Sequence, residues 1–91
     1  MHRSAIAEFV QTVTSFGPVR AKYLPRRGQS LRLLGASVAS GDSAITIKSE
    51  EGQIKIDLND IEHISFASED RKYFIRMPDA LVELRPDDDD D

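Results

Sequence analysis

The first apolar positions of the chain recur with the spacing of a helix. Ile6, Phe9 and Val13 follow one another at intervals of three and four residues, as in a helix that buries one face. A Gly-Pro pair at residues 17–18 then ends the pattern, because glycine favours a helix C-terminus and proline cannot continue a helix. The pattern predicts a helix over residues 4–16 that packs on whatever follows it.

Beyond this pair the apolar positions alternate, which is typical of β-strands. Val19 and Ala21 fall on one side of the first strand, and Arg20 and Lys22 fall on the other. Similar segments, separated by turns, predict four further strands by Phe66 and a hairpin after it. The later strands are predicted near residues 31–38, 44–48, 54–58, 61–66, 71–77 and 81–85.

The second strand contains a glycine, Gly35, in its interior. A glycine inside a strand often marks a bulge or a sharp bend. One helix followed by five short antiparallel strands, with a bend in the second strand, describes a small and strongly curved barrel. The pattern therefore predicts an all-β fold.

This arrangement resembles the Sm-like family, which includes the Sm, Lsm and bacterial Hfq-type proteins. The resemblance covers Ile6 to Phe66 and is strongest over KYLPRRGQSLRLLGASVASGDSAITI, where Gly35 matches the family's bend glycine and Asp42 its loop aspartate. The segment IKIDLNDIEHISF fits the second family motif in its hydrophobic positions. We therefore expect a strongly bent Sm-like antiparallel barrel with an N-terminal α-helix in residues 1–66, and an extra C-terminal β-hairpin in residues 67–86.

The resemblance also implies self-assembly into a homo-oligomeric ring. In such rings the fourth strand of one subunit pairs with the fifth strand of its neighbour. The physical reason is that a short open barrel leaves two strand edges with unpaired backbone groups, which head-to-tail pairing satisfies. The segments IKIDL and IEHISF are suitable edges.

Binding of single-stranded RNA, in RNA processing or post-transcriptional regulation, is the function that the resemblance implies. By position, Tyr23 matches a first-strand aromatic residue that helps bind bases, and Arg32 matches a basic residue of the second strand. Asp42 and Asn59 fall in the two loops that form the family's pore site, and the arginine pair of the first turn is within reach of phosphate. The predicted RNA-binding residues are Tyr23, Arg26, Arg27, Arg32, Asp42 and Asn59.

Two departures from the family pattern shift the expected binding surface away from the pore. Ala44 stands where the family has a base-stacking residue, and the second loop reads Asp57-Leu58-Asn59-Asp60, which is acidic and repels phosphate. A basic face built from the first two strands is therefore the expected RNA site. The alternative is a ring-shaped scaffold or protein-interaction module without RNA binding.

Charge is distributed unevenly along a chain whose formal net charge is −4. Residues 1–41 carry a net +5, and residues 42–91 carry a net −9. Five of the acids form the run at residues 87–91, which we expect to be a disordered, solvated tail. Weak binding of divalent cations and shielding of a basic surface are alternative roles for this tail.

The remaining composition gives no sign of catalytic or membrane chemistry. The chain has no cysteine, and neither an apolar run that would span a bilayer nor a signal-peptide pattern is found, so we expect a cytoplasmic protein without a membrane partner. The two histidines are far apart and no nucleophile with a base partner stands out. We expect no enzyme activity, no cofactor and no metal site.

Overall fold

The computed structural model describes residues 3–87, with side chains from residue 5 onward. Over this range the chain forms one N-terminal helix, seven strands and a short 3₁₀ turn. The predicted helix and the seven predicted strands are confirmed, with small shifts at their ends. The elements are α1 (Arg3–Ser15), β1 (Val19–Pro25), β2 (Leu31–Ser40), β3 (Ala44–Ser49), β4 (Gly52–Asp57), the 3₁₀ turn (Leu58–Asp60), β5 (His63–Ala67), β6 (Lys72–Met77) and β7 (Ala80–Pro86).

The strands form one antiparallel sheet in the order β4-β3-β2-β1-β7-β6-β5. The C-terminal hairpin is inserted between β1 and β5, because β7 pairs with β1 along its whole length and β6 pairs with β5. Residues 67–86 are therefore part of the same sheet as the segment before them. Strands β4 and β5 are the two edges and do not pair with each other within the chain, so the sheet is open.

Helix α1 packs on one side of this sheet and completes the core. Ile6, Phe9 and Val13 are buried, which confirms the apolar stripe. The Phe9 ring packs edge-on against Tyr73 of β6, with 4.9 Å between the ring centroids. The helix ends one residue before its predicted end, where Gly17 adopts a φ of 78° and its amide donates to the carbonyl of residue 14. The buried strand residues of the core are Val19, Ala21, Leu33, Ala36, Ile45, Ile47, Ile54, Ile56, Ile75, Val82 and Leu84.

Strand β2 contains a β-bulge at the predicted glycine. Between the pairs Val19–Ala36 and Ala21–Leu33, β2 has one residue more than β1, and Gly35 lies there with a φ of 59°. This left-handed conformation is costly for residues with a Cβ atom. Beyond the bulge β2 leaves β1 and pairs with β3, so Gly35 is the bend that joins the two parts of the sheet.

Asp87, the first residue of the predicted acidic tail, belongs to the described part of the chain. Asp87 is ordered: its backbone amide donates to the carbonyl of Pro18, and its carboxylate bonds to Arg20 and Gly35. The expectation of disorder is therefore wrong for Asp87, because cationic and backbone donors far away in the sequence meet its carboxylate. Residues 88–91 lie outside the described part of the chain.

Candidate nucleic-acid interface

The alternation of β1 separates apolar from cationic side chains across the sheet. Val19 and Ala21 are buried in the core, so Arg20 and Lys22 extend from the opposite face, which we call the outer face. On β2 the same pleat buries Leu33 and leaves Arg32 exposed on the outer face. Arg20, Lys22 and Arg32 of the first two strands therefore share the outer face of the sheet.

The C-terminal hairpin adds further charge to the outer face. Because β7 pairs with β1, Arg85 lies opposite Arg20 and Glu83 lies opposite Lys22. Lys72 of β6 reaches the same place, since its Nζ atom lies 3.1 Å from Glu83 Oε1. The first strand and the C-terminal hairpin, which are distant in sequence, thus place charged side chains side by side.

These side chains line a groove of about 250 Å³ on the outer face, which we call the basic groove. Five of its lining residues are cationic and one is acidic. In a chain with a net charge of −4, this is a concentrated positive surface. The lining residues are Arg20, Ala21, Lys22, Arg32, Leu34, Lys72, Glu83 and Arg85.

Two carboxylates partly compensate this charge. Glu83 pairs with Lys72 inside the groove, and Asp87 lies at its margin with Oδ1 2.5 Å from Arg20 Nε. The hydrogen bond from Arg20 holds the pKa of Asp87 below its ordinary value; partial burial opposes this shift, and the Gly35 amide and the charge of Arg85 favour it. Among the described residues, the groove lining and Asp87 together hold five cations and two anions.

Apolar side chains accompany the cations on the outer face. Leu34 lines the groove and is 47 % exposed. Phe74 of β6 lies directly opposite Glu83 and is half-buried, and it faces outward because the next residue, Ile75, is buried in the core. The outer face therefore offers an aromatic ring beside its charged groups.

The structure places the predicted RNA-binding residues in four separate regions. Arg32 lies in the basic groove. Arg26 and Arg27 are exposed in the turn between β1 and β2, outside the groove lining, and the amide of Arg26 donates to the carbonyl of Asp79. Tyr23 is on the core face of β1 and packs against the core while lining a shallow cleft with Leu31, Gln53, Ile54 and Lys55.

Asp42 and Asn59 lie at the other end of β2, in two segments that contact each other. The amide of Leu58 donates to the carbonyl of Ser43 at 2.9 Å, and the side chain of Asp57 accepts from the amide of Asn59 at 2.9 Å. We call residues 40–43 and 57–60 the loop end. It contains Asp42, Asp57 and Asp60 and no lysine or arginine.

The predicted site omitted most of the residues that line the groove. Lys72 and Arg85 were absent from it because strand alternation shows which side chains share a face within one strand, and not which strands are neighbours. The sequence does indicate that Arg20, Lys22 and Arg85 face away from the core, because the residues beside each of them belong to the apolar side of an alternating strand.

No group of three His, Asp or Glu side chains within residues 3–87 could hold a metal ion. The helix in this range is too short and too polar to cross a bilayer. Comparisons with family models, with curated proteins and with solved structures found no match to this chain.

Proposed function

We propose that this protein binds single-stranded RNA through the basic groove, in RNA processing or post-transcriptional regulation. The observation that carries the proposal is the gathering of five cationic side chains from β1, β2, β6 and β7 in one groove. Lysine and arginine side chains in such a groove can neutralise successive phosphates and release their counterions.

The neighbouring apolar side chains favour a single strand over a duplex. Unpaired bases expose their flat faces, which stack on aromatic and apolar side chains next to a positively charged track. Leu34 inside the groove and Phe74 beside it offer such contacts. A base-paired helix would present mainly phosphates to this surface.

Ring assembly of an Sm-like barrel is part of the same proposal. Strands β4 and β5 are both unpaired edges of the open sheet, and pairing β4 of one copy with β5 of the next would satisfy their backbone groups. Phe66 on β5 is 46 % exposed, and a neighbouring copy would cover it. A ring would repeat the groove once in every subunit and so increase the avidity for one RNA strand.

The second candidate function is a ring-shaped scaffold that does not bind RNA. The loop end favours it, because Asp42, Asp57 and Asp60 give a negative surface at the place where the resemblance implies the pore. Such a scaffold would keep the edge pairing of β4 and β5 and use its faces for protein partners.

Affinity for poly-U and poly-A over a series of salt concentrations tests the proposal. For single strands, the slope of log K against log salt is about −0.7 for each neutralised phosphate. The variant Lys22→Gln/Arg32→Gln should lose about tenfold in affinity, and its slope should be shallower by about 1.4. The control Arg26→Gln/Arg27→Gln removes the same charge from the exposed turn and should retain the wild-type slope.

Two results would overturn this assignment. Equal losses in both double variants would mean that overall charge, and not the groove, governs binding. No detectable binding of either polymer at low salt, with a ring found by light scattering, would favour the scaffold. A folded monomer at high concentration would remove the ring from both candidates.

A further inference from the structure

We propose that the Gly35 amide and the Arg20 guanidinium form a phosphate-binding subsite that Asp87 occupies from within the same chain. The acidic C-terminal segment would then compete with RNA for one end of the basic groove. This inference rests on the proposed function, since it assigns a regulator to the same groove.

The donors of this subsite are arranged to hold a small oxyanion. Gly35 donates its amide to Asp87 Oδ2 at 2.6 Å, and Arg20 donates Nε to Oδ1 of the same carboxylate at 2.5 Å. One backbone donor and one guanidinium thus bind two oxygens of a single anion. A phosphate group offers the same charge-assisted acceptors.

The bulge explains why an amide is available at this point of a strand. An amide inside a regular ladder pairs with the neighbouring strand, but the extra residue in β2 leaves Gly35 outside the ladder. Its φ of 59° orients this part of the backbone differently from the rest of β2. The bulge therefore supplies a donor that does not serve the sheet.

The subsite is continuous with the basic groove. Arg20 lines the groove and also holds Asp87, and Arg85 lies opposite Arg20 on the neighbouring strand. Leu34, which precedes Gly35, is part of the groove lining as well. An RNA strand that follows the groove would therefore bring a phosphate to the position of the Asp87 carboxylate.

The carboxylate can leave while the segment that carries it stays attached. The backbone amide of Asp87 donates to the carbonyl of Pro18 at 2.9 Å, independently of its side chain. The sequence continues with four more aspartates at residues 88–91. A tethered competitor has a high effective concentration, so its removal should be visible in the affinity for RNA.

The first test compares two variants that change the net charge equally. Asp87→Asn should bind poly-U about tenfold more tightly than the wild type, because the charged competitor is lost. Its salt slope should be steeper by about 0.7, which corresponds to one additional phosphate contact. Glu8→Gln, on an exposed position of α1, should leave both quantities unchanged.

The second test needs no RNA and follows the Gly35 amide by NMR during titration with inorganic phosphate. Asp87→Ala, or Asp87→Asn if the alanine variant does not fold, should give a saturable shift of this resonance. The shift should be absent in the wild type and in Arg20→Gln/Asp87→Asn. A Gly35 resonance that ignores phosphate in the Asp87 variants would overturn the subsite.

The RNA-affinity test and the phosphate titration can succeed or fail independently of each other. Saturable phosphate binding at Gly35 without any RNA binding would support the subsite and reject the proposed function. Tight RNA binding that is identical in the wild type and in Asp87→Asn would reject the competitor and leave the proposed function intact.

Discussion

The basic groove and the loop end lie at different ends of the same bent strand and have opposite charge. The groove collects five cations on the faces of regular strands, whereas residues 40–43 and 57–60 contain three aspartates and no cation. The groove side chains extend from the outer face of a sheet whose opposite face carries buried residues such as Leu84 and Val82. The loop end consists of the connection between β2 and β3 and a single turn of 3₁₀ helix. Polyanion binding is thus expected on the strand face and not at the loops.

The largest expected difference between the two regions concerns the packing beneath them. Leu84 is fully buried behind the groove and Leu58 is half-buried at the loop end. Leu84→Ala should lower the free energy of unfolding by about 3 kcal/mol, because it leaves a cavity in the core. Leu58→Ala should cost about 1 kcal/mol, since less apolar surface is lost. Urea unfolding of both variants measures the difference, and equal costs would show that the two regions are equally well packed.

Backbone conformation predicts different stability costs for substituting Gly35, beside the groove, and Gly41, at the loop end. Gly35 has a φ of 59° and an added Cβ atom there would make only an ordinary contact, 3.7 Å from Asp87, so the cost comes from the backbone. Gly35→Ala should lower stability by about 1–2 kcal/mol. Gly41→Ala, at the loop end, should change it by less than about 0.5 kcal/mol, because φ is not positive there. A neutral Gly35→Ala in thermal unfolding would contradict the bulge.

Asp87 makes the free energy of unfolding depend on pH. Because Arg20 lowers the pKa of Asp87 in the folded state, the ionised carboxylate contributes stability above the ordinary value of 3.8, and this stability is lost as the pH falls below it. Wild type should therefore exceed Asp87→Asn in unfolding free energy at pH 7, and the gap should narrow near pH 3. A gap that is the same at both pH values would reject the ion pair with Arg20.

The smallest expected effect is that of the loop end on RNA affinity. Asp42→Ala and Asn59→Ala should each change the affinity for poly-U by less than about twofold, which corresponds to about 0.4 kcal/mol. The physical reason is that an acidic surface contributes little to phosphate binding. If either substitution abolished binding while Lys22→Gln/Arg32→Gln preserved it, the roles of the two regions would be reversed.

The sequence was sufficient to predict the helix and the strands, and to predict which side chains of one strand share a face. Alternation around Val19 and Ala21 predicted that Arg20 and Lys22 share the outer face, and Gly35 predicted the bend. These features depend on local pleat geometry and on the conformational freedom of glycine, both of which are visible within a few residues.

Pairings between distant segments could not be predicted in the same way. The place of β7 beside β1, which brings Arg85 to Arg20, depends on the order of strands in the sheet. The bond between Asp87 and Arg20 joins residues 67 positions apart, and Asp87 looked like the start of a tail because four more aspartates follow it. Only the folded sheet reveals that its carboxylate meets two donors.

The most direct test of the basic groove is photo-crosslinking of the full chain to a 4-thiouridine-substituted oligouridylate, with mass spectrometry of the linked peptides. We predict crosslinks in β1, β2 and the β6–β7 hairpin, at or next to the groove-lining residues and Phe74. They should become much weaker in Lys22→Gln/Arg32→Gln and keep their wild-type intensity in Arg26→Gln/Arg27→Gln. Crosslinks confined to residues 40–43 and 57–60, or unaffected by the groove variant, would contradict RNA binding in the basic groove.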